Sequence, residues 1–255
     1  MDAAGVSRVS AVGAGTGSPL ISVVVPVYNH ERYIFECVDS ALMQEGAPPF
    51  EVVVVDDGST DRTPRILQTF GPRIQVIRQP RSGAATALNR GFAAARAPYV
   101  CWLSSDDRFE PGKLAAQWQY VTRRPCTALC YTSFHVIDGH GVRQYTVDSP
   151  WDSDRNRLYA TLLEGCFING STTIVRKDAF FQVGGFDPAL VQGHDYDLWL
   201  RLFERYEVGC IPEPLLSYRW HGSNMSANPA ADRYYSNLVR QRAARRRQQF
   251  GGGTS

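Results

Sequence analysis

Residues 99–107 read Tyr-Val-Cys-Trp-Leu-Ser-Ser-Asp-Asp, five residues suited to a buried strand followed by two serines and two adjacent carboxylates. In open parallel α/β sheets, ligands bind at the carboxyl ends of the strands. Adjacent carboxylates repel each other unless a cation or a hydrogen-bond donor separates them, and Mg²⁺ or Mn²⁺ binds oxygen ligands of this kind. We therefore expect Asp106 and Asp107 to form part of a metal site. The alternative is a surface Asp-Asp turn ahead of a helix.

The segments before this stretch alternate between strand and helix patterns. Strand-like runs at 20–27, 51–56 and 74–78 are each followed by a helical pattern, at 33–42, from 63 onward, and at 84–95. Successive β-α units predict a mostly parallel, Rossmann-like sheet flanked by helices. In such a sheet the polar loops 28–30, 56–61 and 104–107 converge on one edge.

The second half of the chain has a different pattern. The sequence predicts a helix over 114–121, a hairpin of strands 128–137 and 142–147, a strand over 171–175, a helix over 195–206, extended segments at 208–211 and 215–220, and a last helix over 231–249. No linker separates the halves, so we expect one domain with a smaller C-terminal part.

Composition is that of a globular protein, with 44% hydrophobic and 20% charged residues among 255. The apolar run 20–27 is far shorter than the roughly 20 residues of a membrane span. Residues 1–18 lack the basic start and apolar core of a secretory signal, and we expect a disordered leader there. Six scattered cysteines suggest reduced thiols in the cytoplasm.

The loop after the second strand, Asp56-Asp57-Gly58-Ser59, suits a nucleoside. Its carboxylates can accept hydrogen bonds from a base N–H or from ribose hydroxyls, and the glycine permits a tight turn. Neither a Gly-x-Gly-x-x-Gly run nor a P-loop is present. The alternative is an Asx-turn that caps the next helix, which fits Asp61 better than Asp57.

Seven motifs follow one another between residues 19 and 225. They are Pro26-Val27-Tyr28-Asn29; Asp56-Asp57-Gly58-Ser59-Thr60-Asp61; Gly83 with Ala87-Leu88-Asn89-Arg90-Gly91; Leu103-Ser104-Ser105-Asp106-Asp107 with Pro111; Gly184-Gly185-Phe186-Asp187; Asp195-Tyr196-Asp197-Leu198-Trp199-Leu200-Arg201; and Tyr218-Arg219-Trp220-His221. This ordered set resembles the landmarks of family 2 glycosyltransferases. The resemblance implies a GT-A-type fold. It also implies inverting, metal-dependent transfer of a sugar from a nucleotide diphosphate donor, a UDP-sugar, to a hydroxyl of a saccharide, lipid-linked or other acceptor.

The same resemblance implies roles for individual residues. The implied nucleotide site comprises Pro26, Val27, Tyr28, Asn29, Asp56, Asp57, Gly83 and Asp106. Asp107 would ligate Mg²⁺ or Mn²⁺, with Asp106 near the ribose or in the water shell of the metal, and Asp195 would be the general base. His221 would contact the metal or a phosphate, or else be a structural histidine. The alternative role for Asp195 is a carboxylate that stabilises a helix N-terminus without catalysis.

Three residues depart from the family pattern. Ser104 stands where many members carry the first Asp of an Asp-x-Asp-Asp run, which removes one candidate metal ligand. His194 stands where a Glu commonly precedes the base, and Leu88 where an Arg often precedes Asn89. With Ser104 in that position, we expect metal affinity to depend on the diphosphate of the donor.

The resemblance divides the chain at three boundaries: a leader 1–18, a glycosyltransferase domain 19–225 with a nucleotide-binding half 19–110 and an acceptor-side half 111–225, and a C-terminal helix with a basic tail, 226–255. Five arginines at 240–247 can attract anionic lipid head groups, so peripheral association with the inner face of the membrane is one expectation. The alternative is a solvated helix end. Nucleic-acid binding is not expected, because no aromatic residues interleave the arginines. Two other functions remain open, a non-catalytic module that binds a nucleotide-sugar or a saccharide, and a nucleotidyltransferase.

Overall fold

A computed structural model describes residues 17–222, 224 and 228–251. The predicted leader 1–18 lies outside the described residues except for its last two. The described strands are β1 (Ile21–Val27), β2 (Phe50–Asp56), β3 (Gln75–Arg78), β4 (Tyr99–Trp102), β5 (Arg108–Phe109), β6 (Thr127–Ile137), β7 (Arg143–Val147), β8 (Ile174–Arg176) and β9 (Glu207–Arg219). The helices are α1 (Ile34–Leu42), α2 (Thr63–Gln68), α3 (Ala84–Ala94), α4 (Lys113–Arg123), α5 (Arg155–Glu164), α6 (Lys177–Gln182), α7 (His194–Arg205) and α8 (Pro229–Gly251).

The strands form one mixed sheet in the order β3-β2-β1-β4-β8-β6-β9-β5, with β7 paired to β6. Strands β3, β2, β1 and β4 run parallel, as the β-α pattern predicts. The chain moves outward from β1 to β3 and then returns to place β4 on the other side of β1. A crevice opens between strand ends where the order reverses in this way. The carboxyl ends of β1 and β4 therefore mark the expected ligand site.

Two apolar layers cover the two faces of the sheet. In β1, Val24 belongs to the layer that includes α3, whereas Val23 and Val25 belong to the layer that includes α1, because successive side chains of a strand point to opposite faces. Burial on both faces explains the unbroken valine runs of β1 and β2. Helix α3 lies so close to β1 that a Cβ on Gly91 would stand 2.3 Å from Val24 Cγ1.

Helix α8 is part of the domain core. Val239 and Ala243 are fully buried in the layer that contains α7. Two of the tail arginines pair with carboxylates, Arg242 with Asp187 at 2.7 Å and Arg246 with Glu204 at 3.0 Å. These contacts join the predicted C-terminal helix and its basic tail to the rest of the domain. Within the described ranges, no helix combines the length and apolar character that crossing a bilayer requires.

One predicted strand is shorter than expected. Over 171–175 the chain first forms a 3₁₀ turn, Gly170–Thr172, and only then enters β8. The turn forms because the Asn169 side chain accepts from the backbone N–H of Ser171, at 2.9 Å, and the Thr172 hydroxyl donates to the Asn169 carbonyl, at 2.6 Å. Local side-chain bonds of this kind compete with a sheet ladder. The predicted segments 208–211 and 215–220 instead join into one strand, β9, with irregular register near Pro214.

Candidate active site

A cleft of about 700 Å³ opens at the carboxyl ends of β1 and β4. The predicted site residues that line it are Pro26, Val27, Tyr28, Asp57, Asp106 and Asp195. Asn29, Asp56, Gly83, Asp107 and His221 do not line it. The structure thus places part of the predicted nucleotide site and the predicted base in one cavity. The other predicted residues do not line this cavity.

Asp57 organises the end of the cleft where the sequence predicts a nucleotide site. Its carboxylate accepts hydrogen bonds from Gln79 Nε2 at 2.8 Å, from the Ser82 N–H at 2.8 Å and from the Gly83 N–H at 2.9 Å. Gly83 has φ +90°, a conformation that favours glycine. The Asp57 oxygens therefore hold loop 79–83 against the cleft. The resemblance implied a direct contact between Asp57 and the base of the nucleotide. Such a contact would compete with these three hydrogen bonds.

Tyr28 and Arg81 form a flat surface at the same end. The guanidinium carbon of Arg81 lies 3.4 Å from the centre of the Tyr28 ring, a cation–π contact. Both side chains line the cleft. A planar base can stack on a surface of this kind.

Asn29 and Asp56 stabilise the loop 56–61 through hydrogen bonds. Asn29 Oδ1 accepts from the Thr60 N–H at 2.8 Å, and Asn29 itself has φ +52°, which asparagine tolerates. Asp56 Oδ1 accepts from the Ser59 N–H at 2.9 Å. The Asx-turn alternative holds for Asp61, whose Oδ1 accepts from the Thr63 N–H at 2.9 Å.

Asp106 and Asp107 have opposite surroundings. Asp107 is 1% exposed, and its two oxygens accept from Ser171 Oγ at 2.7 Å and from the Arg219 N–H at 2.9 Å. Burial and the neighbouring Asp106 raise the pKa of Asp107 well above its usual range. Asp106 lines the cleft, and its Oδ2 lies 3.0 Å from His221 Nε2.

This geometry disagrees with the expectation that Asp107 ligates the metal while Asp106 supports it. Both Asp107 oxygens already accept hydrogen bonds inside the protein. Asp106 Oδ1 accepts none from the described residues and belongs to a residue of the cleft wall. Of the two carboxylates, Asp106 is the one that lines the cleft, whereas Asp107 joins the end of β9 to the turn at Ser171 through its hydrogen bonds.

Two histidines extend the polar wall beside Asp106. His221 stacks on Tyr33 with ring centres 5.0 Å apart and lies 6.3 Å from the ring of His30. His30 lines the cleft, and its Nδ1 lies 2.7 Å from Ser105 Oγ. Burial lowers the pKa of His30, which favours the neutral imidazole. His30 belongs to a loop that the sequence placed at this edge, but it was not among the predicted site residues.

The polar side chains around Asp106 fit a divalent cation that takes its other ligands from substrate phosphates and water. Among the described residues no group of three or more His, Cys, Asp or Glu side chains stands ready to hold a metal. Mg²⁺ and Mn²⁺ bind through one or two carboxylates together with substrate phosphates and water. Asp106, with His221 beside it, offers a partial site of that kind.

Asp195 lies on the opposite part of the wall, in the first turn of α7. The turn before it passes through Gly193, with φ +69°, where an added Cβ would stand 3.6 Å from Tyr235 Cβ of α8. Asp195 is half-buried, and its Oδ1 accepts from the Tyr196 N–H at 2.9 Å. Asp232 and Ser236 of α8 also line the cleft, which the sequence did not predict.

Comparison with known proteins assigns the family. The model of glycosyl transferase family 2 matches residues 22–184. The chain belongs to glycosyl transferase family 2. This match confirms the predicted family, and the likeness to solved structures confirms the predicted GT-A-type fold.

Two relatives of this family 2 chain match it over about four fifths of its length. An uncharacterized glycosyltransferase of Rickettsia prowazekii is 32% identical over 209 residues, which are 81% of this chain and 65% of that protein. The putative teichuronic acid biosynthesis glycosyltransferase TuaG of Bacillus subtilis is 31% identical over 215 residues, which are 82% of both chains. The chain spans less than two thirds of the first Rickettsia relative and 31% of a longer one from Rickettsia bellii.

Solved structures agree on the fold. The crystal structure of S. aureus TarS 1–349 in complex with UDP-GlcNAc has a TM-score of 0.69 at 23% identity, covering 86% of this chain and 65% of that one. The complex of the same protein with UDP has a TM-score of 0.68. At this identity the likeness establishes the fold alone.

Proposed function

We propose that this family 2 member is a metal-dependent, inverting glycosyltransferase that moves a sugar from a UDP-sugar to a hydroxyl of a saccharide or lipid-linked acceptor. The observation that carries the proposal is a single cleft at the switch point of the sheet. Its wall contains the stacked side chains of Tyr28 and Arg81 and two carboxylates, Asp106 and Asp195.

The nucleotide end supports a UDP moiety. A uracil would stack near Tyr28 and Arg81, while loop 79–83, held by Asp57, borders the ribose. TarS, a protein of the same fold, was crystallised with UDP and with UDP-GlcNAc. TuaG, a relative, is named for teichuronic acid biosynthesis, which supports a polysaccharide acceptor.

Asp106 would hold Mg²⁺ or Mn²⁺, with His221 as the neighbouring ligand or as the hydrogen-bond partner that orients the carboxylate. When bound, a divalent cation neutralises the charge that develops on a departing diphosphate. Asp107 accepts a hydrogen bond from the Arg219 N–H, two residues before His221, and contributes to the stability of the fold there rather than to the binding of the metal.

Asp195 would accept the proton of the acceptor hydroxyl as that oxygen attacks the anomeric carbon. The attack comes from the face opposite the diphosphate, so a single displacement inverts the anomeric centre. Asp195 faces the acceptor side because residues of α7 and α8, including Asp232 and Ser236, form the wall around it.

Attraction to an anionic membrane surface is a further part of the proposal. Arg242 and Arg246 pair with carboxylates of the domain, whereas Arg245 and Arg247 are exposed. Each exposed arginine contributes about 1 kcal/mol near anionic lipid. Salt-sensitive sedimentation with phosphatidylglycerol vesicles, weakened in an Arg245→Ala, Arg247→Ala variant, tests it.

The products distinguish the proposed activity from its rivals. With Mn²⁺, an acceptor mixture and a panel of UDP-sugars, the protein should release UDP and form a glycoside of inverted anomeric configuration, visible by NMR. Release of pyrophosphate from a nucleoside triphosphate and a sugar phosphate would indicate nucleotidyl transfer. Binding of UDP-sugars without release of either product, across acceptors, would indicate a binding module.

A further inference from the structure

Strands β6, β7 and β9 present a set of aromatic side chains on one face of the sheet. Residues paired across neighbouring strands point to the same face, as do residues two apart within a strand. Val136 of β6 pairs with Tyr145 of β7 and with Tyr218 of β9. Phe134, two residues before Val136, pairs with Val147. These five side chains therefore share one face.

The rings on this face pack against one another and reach the surface. The centre of the Tyr218 ring lies 6.0 Å from that of Phe134 and 6.4 Å from that of Trp220. The Trp220 N–H donates to the Ile137 carbonyl at 2.8 Å, which continues the pairing past the end of β9. Tyr145 is 60% exposed and Trp220 46%. We call Phe134, Tyr145, Tyr218 and Trp220 the aromatic face, and exposed apolar patches of this kind mark interaction surfaces.

The aromatic face continues the wall of the candidate active site. Two of its rings, Phe134 and Tyr218, line the cleft, and the other two extend the face beyond it. Arg219, the residue after Tyr218, donates from Nε to the Asp106 carbonyl at 2.7 Å. Because this bond ties the strand to the loop of Asp106, the face has a fixed position next to the proposed site of transfer.

Strand order separates the aromatic face from the nucleotide end of the cleft. Tyr28 and Arg81 follow β1 and β3, whereas β6, β7 and β9 lie on the other side of β4. An acceptor must approach on the side that the donor nucleotide leaves open. The strands that carry the aromatic face lie on that side.

The chemistry of the aromatic face favours sugar rings over an acyl chain. The faces of aromatic rings carry partial negative charge, which attracts the weakly positive C–H groups on one face of a pyranose. Hydrogen-bonding groups adjoin the rings, since Asn224 lines the cleft and donates to the Arg219 carbonyl at 2.7 Å. A pyranose, with C–H groups on its face and hydroxyls around its edge, matches both. An acyl chain laid over Tyr145 and Trp220 would stay half in water, because these side chains lie in the open.

We propose that the aromatic face binds the sugar units of the acceptor that lie next to the reacting one, so that the acceptor is an oligosaccharide or polysaccharide rather than a single sugar. The inference rests on the proposed function and adds the class of acceptor to it. Its central expectation is that affinity rises with the number of sugar units and that this rise depends on Tyr145 and Trp220.

Calorimetry with Mn²⁺ and saturating UDP tests the face. The probes are oligosaccharides of glucose, of mannose and of N-acetylglucosamine, each with one to four units. At least one series should bind, with affinity that rises about tenfold from one unit to three. Trp220→Ala and Tyr145→Ala should each remove most of that rise, whereas Trp220→Phe, which keeps a ring, should recover much of it. UDP affinity, measured in parallel, should stay within about twofold and shows that each variant is folded.

The matched control is Phe181→Ala. Phe181 is 47% exposed, lies on α6 and does not line the cleft, so its removal should leave the affinity for every oligosaccharide unchanged. A loss of affinity in Phe181→Ala as large as that in Trp220→Ala would overturn the aromatic face as a specific site.

Three other results would overturn the inference and leave the proposed function standing, provided that UDP binds. They are affinity that does not depend on the number of units, a rise in affinity that persists in both Trp220→Ala and Tyr145→Ala, and no binding of any oligosaccharide. Loss of binding to vesicles that contain a polyprenyl phosphate in Trp220→Ala, with oligosaccharide binding unchanged, would assign the face to a lipid and also overturn it. If the wild type binds neither UDP nor any UDP-sugar, the proposed function fails, and the inference fails with it.

Discussion

Replacing Asp106 and Asp107 by alanine, one at a time, separates metal binding from folding. Asp106 faces the cleft, and its Oδ2 lies 3.0 Å from His221 Nε2. The Asp106→Ala variant should lose only about 1 kcal/mol of stability, because it removes one hydrogen bond between side chains that are 12% and 8% exposed and also relieves the repulsion between Asp106 and Asp107. Its UDP affinity should no longer respond to Mn²⁺, a loss of at least about 100-fold relative to the wild type with metal.

Asp107→Ala removes both acceptors from a buried position and leaves the Arg219 N–H without a partner. An orphaned buried donor costs about 1–3 kcal/mol, and the lost bond to Ser171 adds to it. For a domain of this size, 2–3 kcal/mol lowers the melting temperature by roughly 4–12 °C. UDP binding at low temperature should keep its dependence on Mn²⁺.

Thermal melts with EDTA, with Mn²⁺, and with Mn²⁺ plus UDP compare the two variants. At 100 times the dissociation constant, UDP should stabilise the wild type by about 2.7 kcal/mol, or roughly 5–10 °C. Asp107→Ala should start lower and show the same shift, and Asp106→Ala should start near the wild type and show little shift. The opposite pattern, with the metal response lost only in Asp107→Ala, would refute the reassignment.

Three further substitutions test the loop held by Asp57, the packing of α8 and the pKa of Lys113. Asp57→Ala removes three hydrogen bonds from loop 79–83, so calorimetry should show UDP binding weakened about 10- to 100-fold. An unchanged affinity would count against the loop as a nucleotide support. Val239→Asp buries a carboxylate at a 0% exposed position between α7 and α8 and should lower the free energy of unfolding in urea by about 3 kcal/mol or more. The matched change at Tyr234, 64% exposed, should stay within about 0.5 kcal/mol, and equal losses would show that α8 is not anchored through Val239. Burial lowers the pKa of Lys113, so the unfolded chain binds more protons between the folded and unfolded pKa values and stability rises with pH there. As the pH rises toward the unfolded lysine pKa of about 10.4, the wild type should therefore gain stability relative to Lys113→Met, and a difference that does not change with pH would contradict a lowered pKa of Lys113.

The first half of the fold follows from the sequence because two strong signals agree. Strands β1 and β2 are runs of β-branched residues that are buried on both faces. Polar residues follow each run immediately, which places them at the ligand-binding edge of a parallel sheet. Topology then brings Tyr28, Asp57 and Asp106 together without any knowledge of side-chain contacts.

The different surroundings of Asp106 and Asp107 did not follow from the sequence. Near a strand end, neighbouring side chains point in opposite directions, so one carboxylate of the pair faces inward. Which one does so depends on Arg219 and Ser171, which are 112 and 64 residues away along the chain. A local pattern carries no information about such distant partners.

The contribution of α8 to the domain core also did not follow from the sequence. The arginine run suggested a solvated or membrane-facing tail, whereas Asp187 and Glu204, which pair with two of those arginines, lie far back in the sequence. One signal was available. Val239 and Ala243 are spaced i, i+4 and predict a narrow apolar stripe on the helix, which is the face that packs against α7.

Asp195 is the residue on which the assignment of sugar transfer depends. With Mn²⁺ and the donor that the wild type turns over, Asp195→Asn should bind that donor within about twofold of the wild type. Its release of UDP in the presence of acceptor should fall by about 10²–10⁴-fold, the range expected for loss of a general base. Release of UDP by Asp195→Asn at the wild-type rate would contradict the account.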